Sequence, residues 1–385
     1  MQDAFALFRV LGVAAGLSLA PLPLHADTCP DPGQWRQPGG ERLESVALLA
    51  ELAERDVVLL GEQHDRMDHH RWQLHTLAGL HALRPDMAIG LEMLPREAQP
   101  ALDAWVAGEL DEAAFLAASD WYDAWGFDPE LYLPILHFAR LNRVPLKALN
   151  VTPELRERLV EAGWQAVPEA ERFGITPPAE APPDYRERLA EAHAQHADSG
   201  DGASVERFIA AQLVWDRAMA AGLAEAADEA ELVVGLVGQG HLRFGHGVPH
   251  QLDDLGLGEH ATLLPWPAAD AACEPPPAGV AQAVFGMAEL DGPQAAPPQL
   301  GILLAAAERG VAVEDVVAGS VAEQAGLAQG DLILRAAGEV LTRPTDLIRL
   351  VRRQPPGTLL PLEIRRDDER REVLARFPPR EQAGH

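Results

Sequence analysis

Two short blocks far apart in the chain carry residues able to do chemistry: Gly61-Glu62-Gln63-His64 and Gly238-Gln239-Gly240-His241. Each delivers a histidine just past a glycine turn. A carboxylate, Glu62, sits in the first block, and Glu92 closes another apolar run, Ile89-Gly90-Leu91-Glu92. Two imidazoles and two carboxylates can bind a divalent metal such as zinc or manganese. The same set can act as general acid and base with no metal. Glycines at the turns let the backbone bend sharply and approach a ligand.

The positioning elements follow from the flanking residues. Asp56-Val57-Val58-Leu59-Leu60 and Leu232-Val233-Val234-Gly235-Leu236-Val237 read as buried strands. From about 43 to 266, strand-like runs at 57–60, 88–91, 144–149, 232–237 and 261–264 alternate with helical runs at 68–83, 97–107, 111–118, 129–141, 153–162, 184–197 and 204–227. Asp128-Pro129 and Thr152-Pro153 mark helix starts. The alternation predicts an α/β domain, a mostly parallel sheet flanked by helices. Ligands of such sheets bind beyond the carboxyl ends of the strands. That rule brings Glu62, His64, Asp65, Glu92, Asn150 and His241 to one rim, where chance would scatter them over two.

Each candidate has a plainer use. Glu62 and Glu92 could pair with Arg66, Arg96 or Arg243. His69 and His70 read as a solvated helical face. Trp215, Asp216 and Met219 share a face with Gln212, which suits a core, although an aspartate in an apolar helix is also suited to orienting a histidine. Trp121, Trp125 and Phe127 form core or line an apolar slot. Residues 164–202 read as an insertion with one helix.

A chain of 385 residues exceeds one ordinary core and suggests two domains. The formal net charge of -28 argues against binding nucleic-acid backbones or anionic lipid. Residues 1–26 read as a signal peptide, with Arg9 before an apolar run and Leu24-His25-Ala26 resembling a cleavage site. The expectation is export, to a periplasm, with no transmembrane segment in the mature chain. Lipid anchoring at Cys29 is the lesser alternative, because Ala26-Asp27-Thr28 lacks the small residues such a site needs. Cys29 and Cys273 are the two cysteines. They form a disulfide across the first domain or remain free thiols. Residues 267–298 are rich in Pro and Ala and read as a linker, within which an apolar patch at 280–290 is suited to packing back on the first domain.

The last segment, 299–378, contains Ala325-Gly326-Leu327-Ala328-Gln329-Gly330-Asp331-Leu332-Ile333. It closely resembles a bacterial PDZ domain, a small and mainly β module. The resemblance implies capture of a protein or peptide C-terminus near Leu300, Gly301 and Ile302, with the peptide adding a strand.

In the first domain, several blocks resemble the ChaN family of bacterial haem-binding uptake proteins over about 45–265. They are Val57 to Asp65, His69-His70-Arg71-Trp72-Gln73-Leu74, Gly90-Leu91-Glu92-Met93, Leu131-Tyr132-Leu133-Pro134, Gln212-Leu213-Val214-Trp215-Asp216-Arg217 and Gly240-His241-Leu242-Arg243. The resemblance implies non-covalent haem binding for iron uptake or handling, with paired haems across a homodimer. Among Tyr122, Tyr132 and Tyr185, Tyr132 is expected as axial ligand, since phenolate suits ferric haem. His64 and His241, with Glu62 and Glu92, would ligate or hydrogen-bond the haem. The wider superfamily includes Tiki metalloproteases, TraB proteins and erythromycin esterases. It implies an alternative hydrolase in which His64, His241 and Glu92 hold a divalent metal or shuttle protons, while Glu62 or Glu92 activates water. A non-catalytic periplasmic scaffold is the third reading.

Overall fold

The computed structural model describes residues 29–196, 204–269, 273–288 and 298–379. The expected signal segment and part of the expected linker lie outside the described residues.

Eight strands form the first sheet: β1 Trp35–Arg36, β2 Arg42–Leu43, β3 Val57–Glu62, β4 Met87–Pro95, β5 Leu146–Asn150, β6 Leu232–Gly238, β7 His260–Pro267 and β8 Ala283–Met287. Their order is β2-β1-β8-β7-β3-β6-β4-β5. The strands from β8 to β5 run parallel, and β1 pairs antiparallel with β2 and β8.

Helices cover both faces, and every residue of β3 and β6 is buried, all apolar or glycine except Glu62 at the end of β3. Side chains alternate between two cores. Val58 and Leu60 join Trp72, Leu77 and Trp105, while Val57 and Leu59 join Leu223, Val237 and Leu252. β6 inserts between β3 and β4, with Glu62 opposite Gly238 and Leu91 opposite Leu236. The turns ending β3, β4 and β6 are therefore neighbours at one level. Gly61 is tightly enclosed here, since a Cβ would lie 2.4 Å from the Leu264 side chain of β7.

The sheet is wider than the alternation predicts. The patch within the expected linker forms β8, parallel to β7. β1 and β2 close the edge beyond it, and a Cys29–Cys273 disulfide joins the ends of the region. Two-residue strands leave no periodicity to read. The segment at 164–202 contains the helix Pro183–His196, which carries the buried Tyr185.

The C-terminal sheet comprises β9 Ile302–Ala306, β10 Val311–Val316, β11 Leu332–Ala336, β12 Glu339–Val340, β13 Leu359–Arg366 and β14 Glu369–Arg376. It is antiparallel in the order β14-β13-β11-β10-β9, with β12 on β11, and it has its own core. Buried Asp331 is held by Arg366 at 2.6 and 2.7 Å. β9 is an edge strand. It follows Leu300, which is buried, and Gly301, whose φ of 76° is left-handed. The helix Pro344–Arg352 touches the first domain: Arg343 at its start meets Asp120 at 2.7 Å and Asp123 at 2.9 Å.

Candidate functional site

Two side-chain chains of the same design meet on the predicted rim. In the first, Glu62 ends β3 and is buried. Its Oε1 is 2.9 Å from His64 Nδ1 and accepts from the Tyr132 hydroxyl at 2.7 Å. Its Oε2 accepts from Gln73 at 2.9 Å and lies 3.4 Å from His70 Nδ1. In the second, Asp216 on the helix Val205–Ala227 is fully buried. Its Oδ1 is 2.6 Å from His241 Nδ1, and its Oδ2 accepts from the Tyr185 hydroxyl at 2.7 Å. The order is tyrosine, carboxylate, imidazole in both. With Nδ1 held by a carboxylate, each imidazole presents Nε2 away from its anchor.

Glu92 lies between the two. It is fully buried at the end of the regular part of β4. One carboxylate oxygen accepts from the Gly238 N–H. The other, Oε1, has no hydrogen-bond partner among the described residues and faces His241 Nε2 at 3.8 Å. Gly238 is small for a reason: a Cβ there would lie 2.8 Å from His64 Cε1 and 3.4 Å from Glu92 Oε2. That close approach brings His64, Glu92 and His241 together. Asn150 at the end of β5 donates to the Glu92 carbonyl at 2.9 Å, so the four expected strand ends all meet here.

Charges follow from these contacts. Burial alone would raise the Glu62 pKa, but hydrogen bonds from His64 and His70 hold it well below the usual carboxylate range. Burial opposes the imidazolium at His241, yet the Asp216 carboxylate outweighs it and pushes the pKa up to about 9. His64 moves up as well: burial opposes its charge, while Glu62 and Glu92 favour it. Both tyrosines are pushed upward by burial and by the adjacent carboxylate, and they remain protonated donors.

Aromatic walls flank the two histidines. Trp125 packs on the His64 ring at 4.6 Å and Phe127 at 5.3 Å, so the cluster expected as core or slot lines the site. Trp215 packs on His241 at 5.1 Å.

Several expectations need correction. Tyr132, expected as axial ligand, is only 1% exposed, and its hydroxyl donates to Glu62. The three arginines considered as partners of Glu62 and Glu92 have other contacts among the described residues: Arg66 binds Asp68, Arg96 binds Glu225 and Arg243 lies over Trp266. His69 and His70 are not a solvated face, because the helix Met67–Leu83 turns them back under the β3 turn and buries both. His69 Nδ1 accepts from the Gln63 N–H at 3.0 Å, and burial lowers its pKa to about 4. Among the described residues no group of three or more His, Cys, Asp or Glu is arranged to hold a metal ion. The sequence reading overlooked Gln73. Its signal was spacing, three residues after His70 on one helical face.

No curated protein matches the chain in a sequence search. Among solved structures, the fold resembles ChaN of Campylobacter jejuni, solved with cofacial haem: 16% identity, 64% of this chain, 92% of that chain, TM-score 0.50. An HtrA-type protease, AlgW, with a decapeptide matches at 20% identity over 22% of this chain and 30% of that chain, TM-score 0.21. A serine endoprotease from Yersinia pestis matches at 26% identity over 21% of this chain and 29% of that chain, TM-score 0.20. A PDZ domain model matches residues 312–366, and the model for haem-binding uptake proteins of the Tiki superfamily, ChaN, matches residues 48–252. The second match spans just over half of the chain, so the protein belongs to the ChaN haem-binding family of the Tiki superfamily and carries a PDZ domain in its C-terminal part.

Proposed function

We propose that the first domain binds haem non-covalently on the rim between Trp125 and Trp215, as part of iron uptake or handling outside the cytoplasm. The carrying observation is the pair of buried carboxylates, each holding an imidazole by Nδ1 so that Nε2 faces the cleft. The donor set suits the group: imidazole is a common axial ligand of haem iron, and aromatic rings suit its apolar face. His64 would hold the iron, since its side chain is 29% exposed against 13% for His241. His241 and Glu92 would hydrogen-bond the ligand. Bound haem would supply iron for release or transfer. Tyr132 and Tyr185 fix the two carboxylates.

The disulfide supports the export reading, because such bonds persist in oxidising compartments. Among the described residues no helix is long and apolar enough to cross a membrane. The PDZ domain would capture a protein or peptide C-terminus beside Leu300, Gly301 and Ile302, and a homodimer would bring two haem sites together. Equilibrium dialysis of the full chain against hemin tests the reading. Retention of about one haem per chain is expected, and no retention contradicts it. Sedimentation with and without hemin tests the dimer.

One observation favours a second reading, acid–base hydrolysis without metal. Glu62 is saturated by His64, Tyr132 and Gln73, which leaves the free Glu92 oxygen as the base for an attacking water. The His241 imidazolium would then protonate the leaving group. Cleavage of a peptide mixture that Glu92→Gln abolishes would support this reading, and an absence of cleavage would remove it.

A further inference from the structure

The two glycine turns that deliver His64 and His241 also deliver Gln63 and Gln239. These glutamines line a separate cavity of about 530 Å³ at the ends of β7 and β8. The two turns are close there, since a Cβ on Gly61 would lie 3.3 Å from Gln239 Cβ. Arg243, next after the second turn, lines the same cavity with its guanidinium 5.2 Å from the centroid of the Trp266 ring. Its Nε is buried without a hydrogen-bond partner. Burial lowers its pKa with no carboxylate acting against that shift, in a chain where acids outnumber bases 59 to 31. Arg66 is a second cation on the wall, held by Asp68 at 2.7 and 3.0 Å. Glu274 is the one acid in the lining, and it is exposed.

His69 gives this cavity a fixed neutral donor. It is 6% exposed, and its Nδ1 accepts from the Gln63 N–H at 3.0 Å, which leaves the ring proton on Nε2. That N–H has no partner among the described residues. The ring stays neutral at pH 7, because burial lowers its pKa to about 4. A planar guanidinium without a carboxylate partner, beside neutral N–H donors, suits the oxygens of a carboxylate or phosphate.

We propose that this cavity is an oxyanion site, in which Arg243 binds a carboxylate or phosphate group and His69, Gln63 and Gln239 donate to its oxygens. The inference goes beyond the haem reading and stands without it. One bound anion would bridge the turn after β3 and the turn after β6, the two that carry His64 and His241.

The test is calorimetric titration of the full chain, without hemin, with inorganic phosphate, succinate and the uncharged dimethyl succinate at constant ionic strength. Wild type binds at least one of the two anions saturably and does not bind the ester, a comparison that needs no substitution to fold. The tighter of the two anions identifies the group as phosphate or carboxylate. Arg243→Ala weakens that anion about tenfold, the loss of one charge-assisted contact. Arg243→Lys recovers part of the affinity, and Gln239→Ala weakens binding about threefold, the loss of one neutral donor. Arg371→Ala, which removes one positive charge from the PDZ domain, behaves as wild type. Wild type that binds neither anion, or binds the ester as well as succinate, overturns the site. Anion binding that survives Arg243→Ala unchanged, or that Arg371→Ala weakens equally, is general charge attraction and overturns it as well. Every one of these outcomes leaves the haem reading to its own hemin test.

Discussion

Asp216 Oδ1 lies 2.6 Å from His241 Nδ1, and the same carboxylate takes the Tyr185 hydroxyl on its other oxygen. The imidazolium therefore owes most of its stability to Asp216, with a smaller share from Glu92. Asp216→Asn should lower the His241 titration midpoint well below about 9. NMR titration of the imidazole checks this. A midpoint that stays near 9 would mean that Asp216 does not set it.

Glu62 and Tyr132 repeat that relationship, with the hydroxyl 2.7 Å from Oε1. Tyr132→Phe leaves a buried carboxylate one donor short and should cost about 2 kcal/mol of stability, measured by denaturant unfolding. The hemin absorbance spectrum should be unchanged, because the phenol is not a ligand. A changed spectrum would return Tyr132 to the iron.

The helix after the first turn makes stability depend on acid. His69 is buried with its pKa lowered to about 4 from 6.5. The unfolded chain then binds more protons between those values, so His69 contributes a loss of stability as pH falls from about 6.5 to about 4. His241 acts on the other flank. Its raised pKa contributes stability that is full below about 6.5 and lost as pH rises through about 9. Unfolding free energy against pH should narrow on the acid side in wild type and less so in His69→Gln. Equal acid slopes in the two proteins would contradict the assignment.

The Cys29–Cys273 bond spans 244 residues of sequence. A loop of that length lowers unfolded-chain entropy, so Cys273→Ser should cost about 5.5 kcal/mol in the chain-entropy model. Because β1 lies on β8 beside the bond, amides of β1 and β8 should lose hydrogen-exchange protection first. Unchanged protection there would show that the edge holds itself.

The rim was legible from sequence because β3 and β6 are buried on both faces and read as unbroken aliphatic runs ending in glycine turns. Glu92 was legible for the same reason at the end of the regular part of β4. What escaped depends on tertiary direction. His70 and Gln73 look like ordinary helical residues until the helix packs back on β3, where His70 Nε2 meets the His64 carbonyl at 3.1 Å. Tyr132 fell in a family-like block, but the direction of its hydroxyl is set by packing between helix and sheet. β1, β2 and β8 are too short, or too enclosed by Pro and Ala, for any period to show.

The central claim is that a rim imidazole holds haem iron. The most direct measurement is a hemin titration of wild type, His64→Ala and Tyr132→Phe, followed in the Soret and visible bands on samples also assayed for metal. The account predicts a saturable Soret shift in wild type and Tyr132→Phe, with a different spectrum and weaker binding in His64→Ala. A wild-type protein that produces no Soret shift, or one whose spectrum survives His64→Ala unchanged, would contradict it.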